Sequence, residues 1–173
     1  MFSQKLKFKE GRFEMFDIRG VILPVYTFSK LLEQEYKSNV DEVFEMLFET
    51  GKAHGKMGIE RIGRKNKVSK REFQSKMIDS ANMMGLGKFE VVKSDMTKEE
   101  FKVRLTRSPI VQEFNDSEAM SDVERPVTEL SRGIFHSIMG EIWSAEVVSK
   151  FSKSKFLGDE NTEIKVQLKD DQE

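Results

Sequence analysis

His54 and His136 are the only histidines in the chain, and there is no cysteine. The lack of Cys removes disulfides, thiolate nucleophiles, iron–sulfur clusters and thiolate zinc sites together. A metal site would need both imidazoles and a carboxylate such as Glu141. No i, i+4 His pair or His–Glu spacing supports one, so ordinary partly buried histidines are the favoured reading. Ser137 follows His136 directly and projects from another side of a helix, and no G-x-S-x-G elbow exists. The carboxylate pairs Glu99-Glu100 and Asp170-Asp171 fall in a polar turn and in the tail, and read as solvated surface rather than acid and base. Gly85-Leu86-Gly87-Lys88 has neither the length of a phosphate loop nor a following helix. Arg61, Arg64, Lys65, Lys67, Lys70 and Arg71 could meet phosphates or anionic lipid heads. Without interleaved aromatics or a recognition helix, this run reads as a solvated junction between two helices. No metal, cofactor or catalytic group is expected.

The small residues are more informative. Gly51, Gly55 and Gly58 recur at helical spacing inside a strong helical pattern, and each costs about 1 kcal/mol relative to Ala. Gly133, Ser137 and Gly140 make a similar stripe on a later helix. Either the two helices approach closely or the gaps leave room for a ligand. With 14 Phe and 10 Met in the chain, an adaptable apolar cavity is one outcome and a plain packed core is the other. On the cavity reading the lining would be Gly51, His54, Gly55, Met57, Gly133, Phe135, Ser137 and Trp143.

The elements that must position these residues follow from periodicity. Residues 5–18 read as a hairpin around Glu10-Gly11. Pro24 opens a helix that runs to about Tyr36. Asn39 with Glu42 caps a helix whose apolar positions run from Val40 to Ile62. Ser69 with Glu72 caps another, with Phe73, Met77, Ala81 and Met84 inward and Gly85 or Gly87 as its stop. Phe89, Val91, Phe101, Val103 and Leu105 mark two strands, and Phe101-Lys102-Val103-Arg104-Leu105 has one wet face. Ser108-Pro109 ends the second strand. Residues 113–124 read as an exposed acidic connection. Pro126 starts a last helix with Val127, Leu130, Ile134 and Ile138 on one face. Strands over about 144–155 and 162–168 close the chain.

The expected class is α+β: a mostly antiparallel sheet, from hairpins at the N-terminus, middle and C-terminus, packed against about four helices. Residues 1–169 are expected to form one domain, with 170–173 a frayed acidic tail. At 173 residues, 38% apolar and 34% charged, the composition suits a globular protein. Net charge of −1 argues against a nucleic-acid protein. No apolar run approaches the ~20 residues that cross a bilayer. MFSQKLKFKEG has no apolar signal region, and a cytosolic protein is expected.

Several strings in order resemble the 4-vinyl reductase domain family, archaeal and bacterial domains predicted to bind hydrocarbons or related small molecules. They are Gly20-Val21-Ile22-Leu23-Pro24, Gly51-x-x-x-Gly55, Gly85-Leu86-Gly87, Arg107-Ser108-Pro109 and Gly133-Ile134. Family members end with a segment like Glu-x-x-Cys-x-Ala-x-Gly-Asp-x-x-Cys-x-Phe. Here its glycine and aspartate fall on Gly158 and Asp159, but its glutamate falls on Phe151. Its cysteines fall on Ser154 and Thr162, and its aromatic on Ile164. The turn is kept and the reactive atoms are gone, so none of the family's thiol or metal chemistry carries over.

The resemblance implies a fold similar to the core subunits of the eukaryotic trafficking tether and to haem nitric-oxide sensor domains, an internal pocket and a homodimer. A haem would want a proximal histidine, and nothing singles out His54 or His136. The expected function is a non-catalytic sensor or regulatory domain for a small apolar ligand. The alternative is a protein–protein adaptor or dimerising scaffold. Reduction of a vinyl group would require a hydride donor, and no nicotinamide or flavin fingerprint is present.

Overall fold

The computed structural model describes residues 6–9, 12–15, 18–20, 24–36, 39–63, 69–83, 85–95, 97–115 and 128–169. Several sequence expectations lie outside them: the Glu10-Gly11 turn, Val21 to Leu23, Met84, Pro126 and Val127. So do residues 64–68 of the basic run, residues 116–124 of the acidic connection and the 170–173 tail.

The first hairpin extends into a three-stranded meander. β1 (Leu6–Lys9) pairs with β2 (Arg12–Met15), which pairs with β3 (Ile18–Gly20), all antiparallel. The third strand was not expected, because three residues carry too little alternation to register as a strand.

Helix α1 (Val25–Tyr36) starts behind Pro24, whose carbonyl accepts the Phe28 N–H at 3.2 Å. Helix α2 (Val40–Gly63) begins where Asn39 Oδ1 accepts the Glu42 N–H at 3.3 Å. Helix α3 (Lys70–Met83) begins where Ser69 Oγ accepts the Glu72 N–H at 3.2 Å. Both caps satisfy orphan amides of a first turn, as their spacing required. At the end of α3, Asn82 clasps the next strand: its amide donates to the Phe89 carbonyl and its Oδ1 accepts the Phe89 N–H at 2.6 Å.

β4 (Lys88–Asp95) and β5 (Glu100–Thr106) form the middle hairpin. A short helix, α4 (Pro109–Asn115), follows at once, where the sequence suggested only a break and a connection. Seven residues are too few to be helical on propensity alone, so packing holds it. Val111 and Phe114 are buried against Leu32, Tyr36, Val43, Phe44 and Leu47.

Helix α5 (Glu129–Trp143) stops at Ser144, which takes a left-handed conformation with φ of 55°. β6 (Val147–Lys153) and β7 (Thr162–Leu168) complete a four-stranded antiparallel sheet in the order β4-β5-β7-β6. The fold is therefore α+β, with five helices among the described residues.

One sheet face carries Phe89, Phe101, Val103, Leu105, Ile164 and Val166, packed with Ile134, Phe135, Ile138, Met139 and Ile142 of α5. The other face of β5 carries Lys102 and Arg104, which share the buried carboxylate of Glu163 at 3.7 and 2.8 Å. The Arg104 hydrogen bond, against the cost of burial, holds that carboxyl below the ordinary glutamate range. A second apolar cluster lies among α1, α2 and α4, and Leu130 touches both clusters.

Candidate ligand-binding cleft

The two glycine stripes meet. A Cβ on Gly51 would lie 2.2 Å from the Leu130 carbonyl oxygen, and one on Gly133 would lie 2.1 Å from the Phe48 carbonyl oxygen. A Cβ on Gly55 would lie 2.7 Å from the Ile134 oxygen and 3.0 Å from Ser137 Cβ. Helices α2 and α5 thus cross backbone to backbone, and glycine is needed because any side chain would occupy the partner's carbonyl. This corrects the expectation of a ligand space at that crossing: the gaps are filled by the opposing main chain.

The other residues assigned to that space are dispersed. His54 is exposed and Met57 is half-buried on α2. Phe135 is 1% exposed, with ring centroids 5.1 Å from Phe89 and 5.9 Å from Phe101, so it is core. Trp143 is buried in the same cluster, and its Nε1–H has no acceptor among the described residues. Ser137 packs on the crossing.

His136 belongs to a separate bridge between α2, α5 and β6. Arg132 donates to the carbonyl of Ser149 at 2.9 Å and to its Oγ at 3.3 Å, and lies 3.9 Å over the Phe48 ring. That leaves the Ser149 hydroxyl proton for His136 Nδ1, 3.1 Å away. Burial, then Lys52 and Arg132, lower the His136 pKa from 6.5. The unfolded imidazole takes its proton first, so stability is full above about pH 6.5 and is lost as the pH falls through that value. Lowering the pH from about 7.5 to about 5.5 should therefore lower the unfolding midpoint, and His136→Gln should flatten that slope. A slope unchanged in the variant would refute the assignment. Among the described residues, no group of three or more His, Asp and Glu side chains is placed to hold a metal ion. No described helix is long and apolar enough to cross a membrane.

The C-terminal hairpin holds the more productive geometry. β6 ends at Lys153, and a single 3-10 turn over Lys155–Leu157 replaces the strand end expected there. Gly158 follows at φ of 101°, a conformation open to glycine at little cost. Asp159 Oδ2 accepts the Ser154 N–H at 2.7 Å, and Thr162 Oγ1 accepts the Lys155 N–H at 3.1 Å. Ser154 is 3% exposed, and its Oγ has no partner among the described residues. The Thr162 hydroxyl and the Asp159 carboxylate thus tie the turn by accepting hydrogen bonds from backbone.

Beside this turn opens a cleft of about 440 Å³, lined by Leu105, Arg107, Ser108, Val111, Gln112, Lys155 and Thr162. That volume falls within the ~300–1,000 Å³ of small-molecule sites. Leu105 belongs to the sheet–α5 core and Val111 to the α1–α2–α4 core, so the cleft lies on the seam between them. The β5–β7 register sets Leu105 opposite Thr162, which brings the two halves of the lining together. Of the sequence-derived positions only Thr162 lines this cleft. Arg107-Ser108-Pro109 was noted as a strand end and a family string, not as a site, and Leu105, Val111, Gln112 and Lys155 carried no local signal of one.

No protein-family model and no curated protein matches the chain. Solved structures do match it. The phenol-responsive sensory domain of the transcription activator PoxR, with phenol, superposes with a TM-score of 0.83 at 11% identity, over 96% of this chain and 86% of that one. A trafficking protein particle complex subunit 3 from Naegleria fowleri, covalently bound to palmitic acid, gives 0.55 at 20% identity, over 84% and 92%. A vinyl-4-reductase family protein from Methanocaldococcus jannaschii gives 0.52 at 16% identity, over 87% and 85%. At these identities the likeness is one of fold. It agrees with the α+β expectation and with the trafficking-subunit comparison drawn from the sequence.

Proposed function

We propose that this chain is a non-catalytic sensor or regulatory domain that takes a small molecule, a divergent relative of the 4-vinyl reductase domains acting in the cytosol. One observation carries the reading: a cleft of about 440 Å³ joins two apolar cores beside the turn that marks the family. Leu105 and Val111 supply an apolar wall, and the likeness to a phenol-responsive sensory domain is consistent with a ligand of that size.

Gln112 is exposed on the rim, so Gln112→Trp should fill the cleft mouth without disturbing either core. Small aromatic compounds such as phenol and benzamide should raise the unfolding temperature of the wild type and not of the variant. Equal shifts in both proteins would place binding elsewhere and end the reading.

A homodimeric adaptor is the second reading. It is favoured by Tyr26, Leu31, Val40 and Met46, large apolar side chains exposed on α1 and α2. A monomer by light scattering at high concentration would remove it.

A further inference from the structure

The polar groups of the cleft are weighted toward donors. Ser108 Oγ accepts the Val111 N–H at 3.4 Å and Thr162 Oγ1 accepts the Lys155 N–H, so each hydroxyl keeps its own proton to donate. Neither hydroxyl has a protein acceptor among the described residues. Arg107 and Lys155 add two basic side chains, and Gln112 adds an amide. Among the described residues, no Asp or Glu lines the cleft.

Besides the Lys88 hydrogen bond, the charge of Arg107 helps lower the pKa of Glu90 from beyond ion-pair distance. Lys102 and Arg104, on the preceding strand, share Glu163, whereas neither Arg107 nor Lys155 makes an ion pair among the described residues. Arg107 holds a φ of 52°, a left-handed conformation that a non-glycine residue adopts only at a cost in strain. Arg107 comes directly after the last residue of β5 and before Ser108, and both it and Ser108 line the cleft.

We propose that the cleft takes a small amphipathic anion: a carboxylate head against Arg107 and Lys155, and an aromatic or short acyl body against Leu105 and Val111. The head would accept from the Ser108 and Thr162 hydroxyls and from the guanidinium fork, which suits a carboxylate in two-point contact. The body would cover the seam between the two cores. This rests on reading the cleft as the ligand site, and it replaces the neutral hydrocarbon implied by the family with a charged one.

Calorimetric titration of the wild-type protein with benzoate, benzamide and inorganic phosphate separates head from body. Benzoate should bind at least about tenfold tighter than benzamide, its neutral counterpart, and than phosphate, which has no body. The double substitution Arg107→Gln, Lys155→Gln should erase the preference for benzoate while leaving benzamide binding in place. Benzamide binding as tightly as benzoate, with Gln112→Trp blocking both, would overturn the anion assignment and leave the cleft as a ligand site. Phosphate matching benzoate would overturn the amphipathic part. Benzoate binding unaffected by Gln112→Trp, or no binding of any probe, would overturn the proposal together with the cleft reading.

Discussion

Gly133→Ala should destabilise the protein by about 3 kcal/mol, as forced insertion of a methyl group into packed backbone does. The added Cβ would sit 2.1 Å from the Phe48 carbonyl oxygen and 2.9 Å from the Lys52 nitrogen, so α2 and α5 must separate. No rotamer relieves it, since the clashing atoms are main chain. The same substitution removes a helix-interior glycine and would by itself gain about 1 kcal/mol. The sign of the result therefore decides which effect wins. Gly51→Ala should behave alike, its Cβ meeting the Leu130 oxygen at 2.2 Å. Gly140→Ala is the control: its Cβ would meet the Ala145 oxygen at 3.4 Å and Val147 Cγ2 at 3.5 Å, ordinary contacts. It should be neutral or stabilising by up to about 1 kcal/mol. Urea unfolding of the three variants reads all of this. If Gly133→Ala were stabilising, the helices would not touch there, and the crossing would have room for a ligand after all.

Phe135→Ala should cost about 4 kcal/mol, the usual loss for a fully buried Phe. Its ring joins α5 to β4 and β5 through Phe89 and Phe101, and no solvent reaches it. These ring neighbours sit on two separate strands, so the hole left behind cannot close by moving one side chain. For a chain of this size, that is an unfolding temperature lower by about 12 °C. A loss below about 1.5 kcal/mol would show that Phe135 faces a loosely filled space rather than the core. Because Phe135 does not line the cleft, probe affinity there should be unchanged wherever the variant remains folded.

Much of the fold was legible because its signals are local. The Asn39 and Ser69 caps reach three residues along the chain, and the alternation Phe101-Lys102-Val103-Arg104-Leu105 declares one buried face. The 3-10 turn after Lys153 and helix α4 were not legible. Each is short, and α4 owes its form to partners on α1 and α2 that lie far away in sequence.

The glycines were legible as a question only. Spacing says that two small stripes exist, and both close packing and a ligand gap would produce them. Which one holds depends on what faces each glycine, and here the carbonyls of Phe48 and Leu130 do.

The cleft was the least legible feature. Its lining comes from residues 105–112 and from residues 155–162, joined by a register between strands distant in sequence that no local pattern encodes. Ser154 and Thr162 stood out only because a resemblance set cysteines there. The structure gives Thr162 a task of its own, as an acceptor for the turn and a wall of the cleft.

The most direct test of small-molecule binding in this cleft is an amide NMR titration of the uniformly 15N-labelled protein with benzoate. Binding in the cleft predicts saturable shifts concentrated in residues 105–112 and 155–162, with the amides around Gly51 and Gly133 unmoved. Shifts centred on the α2–α5 crossing, or no saturable shift at all, would contradict it.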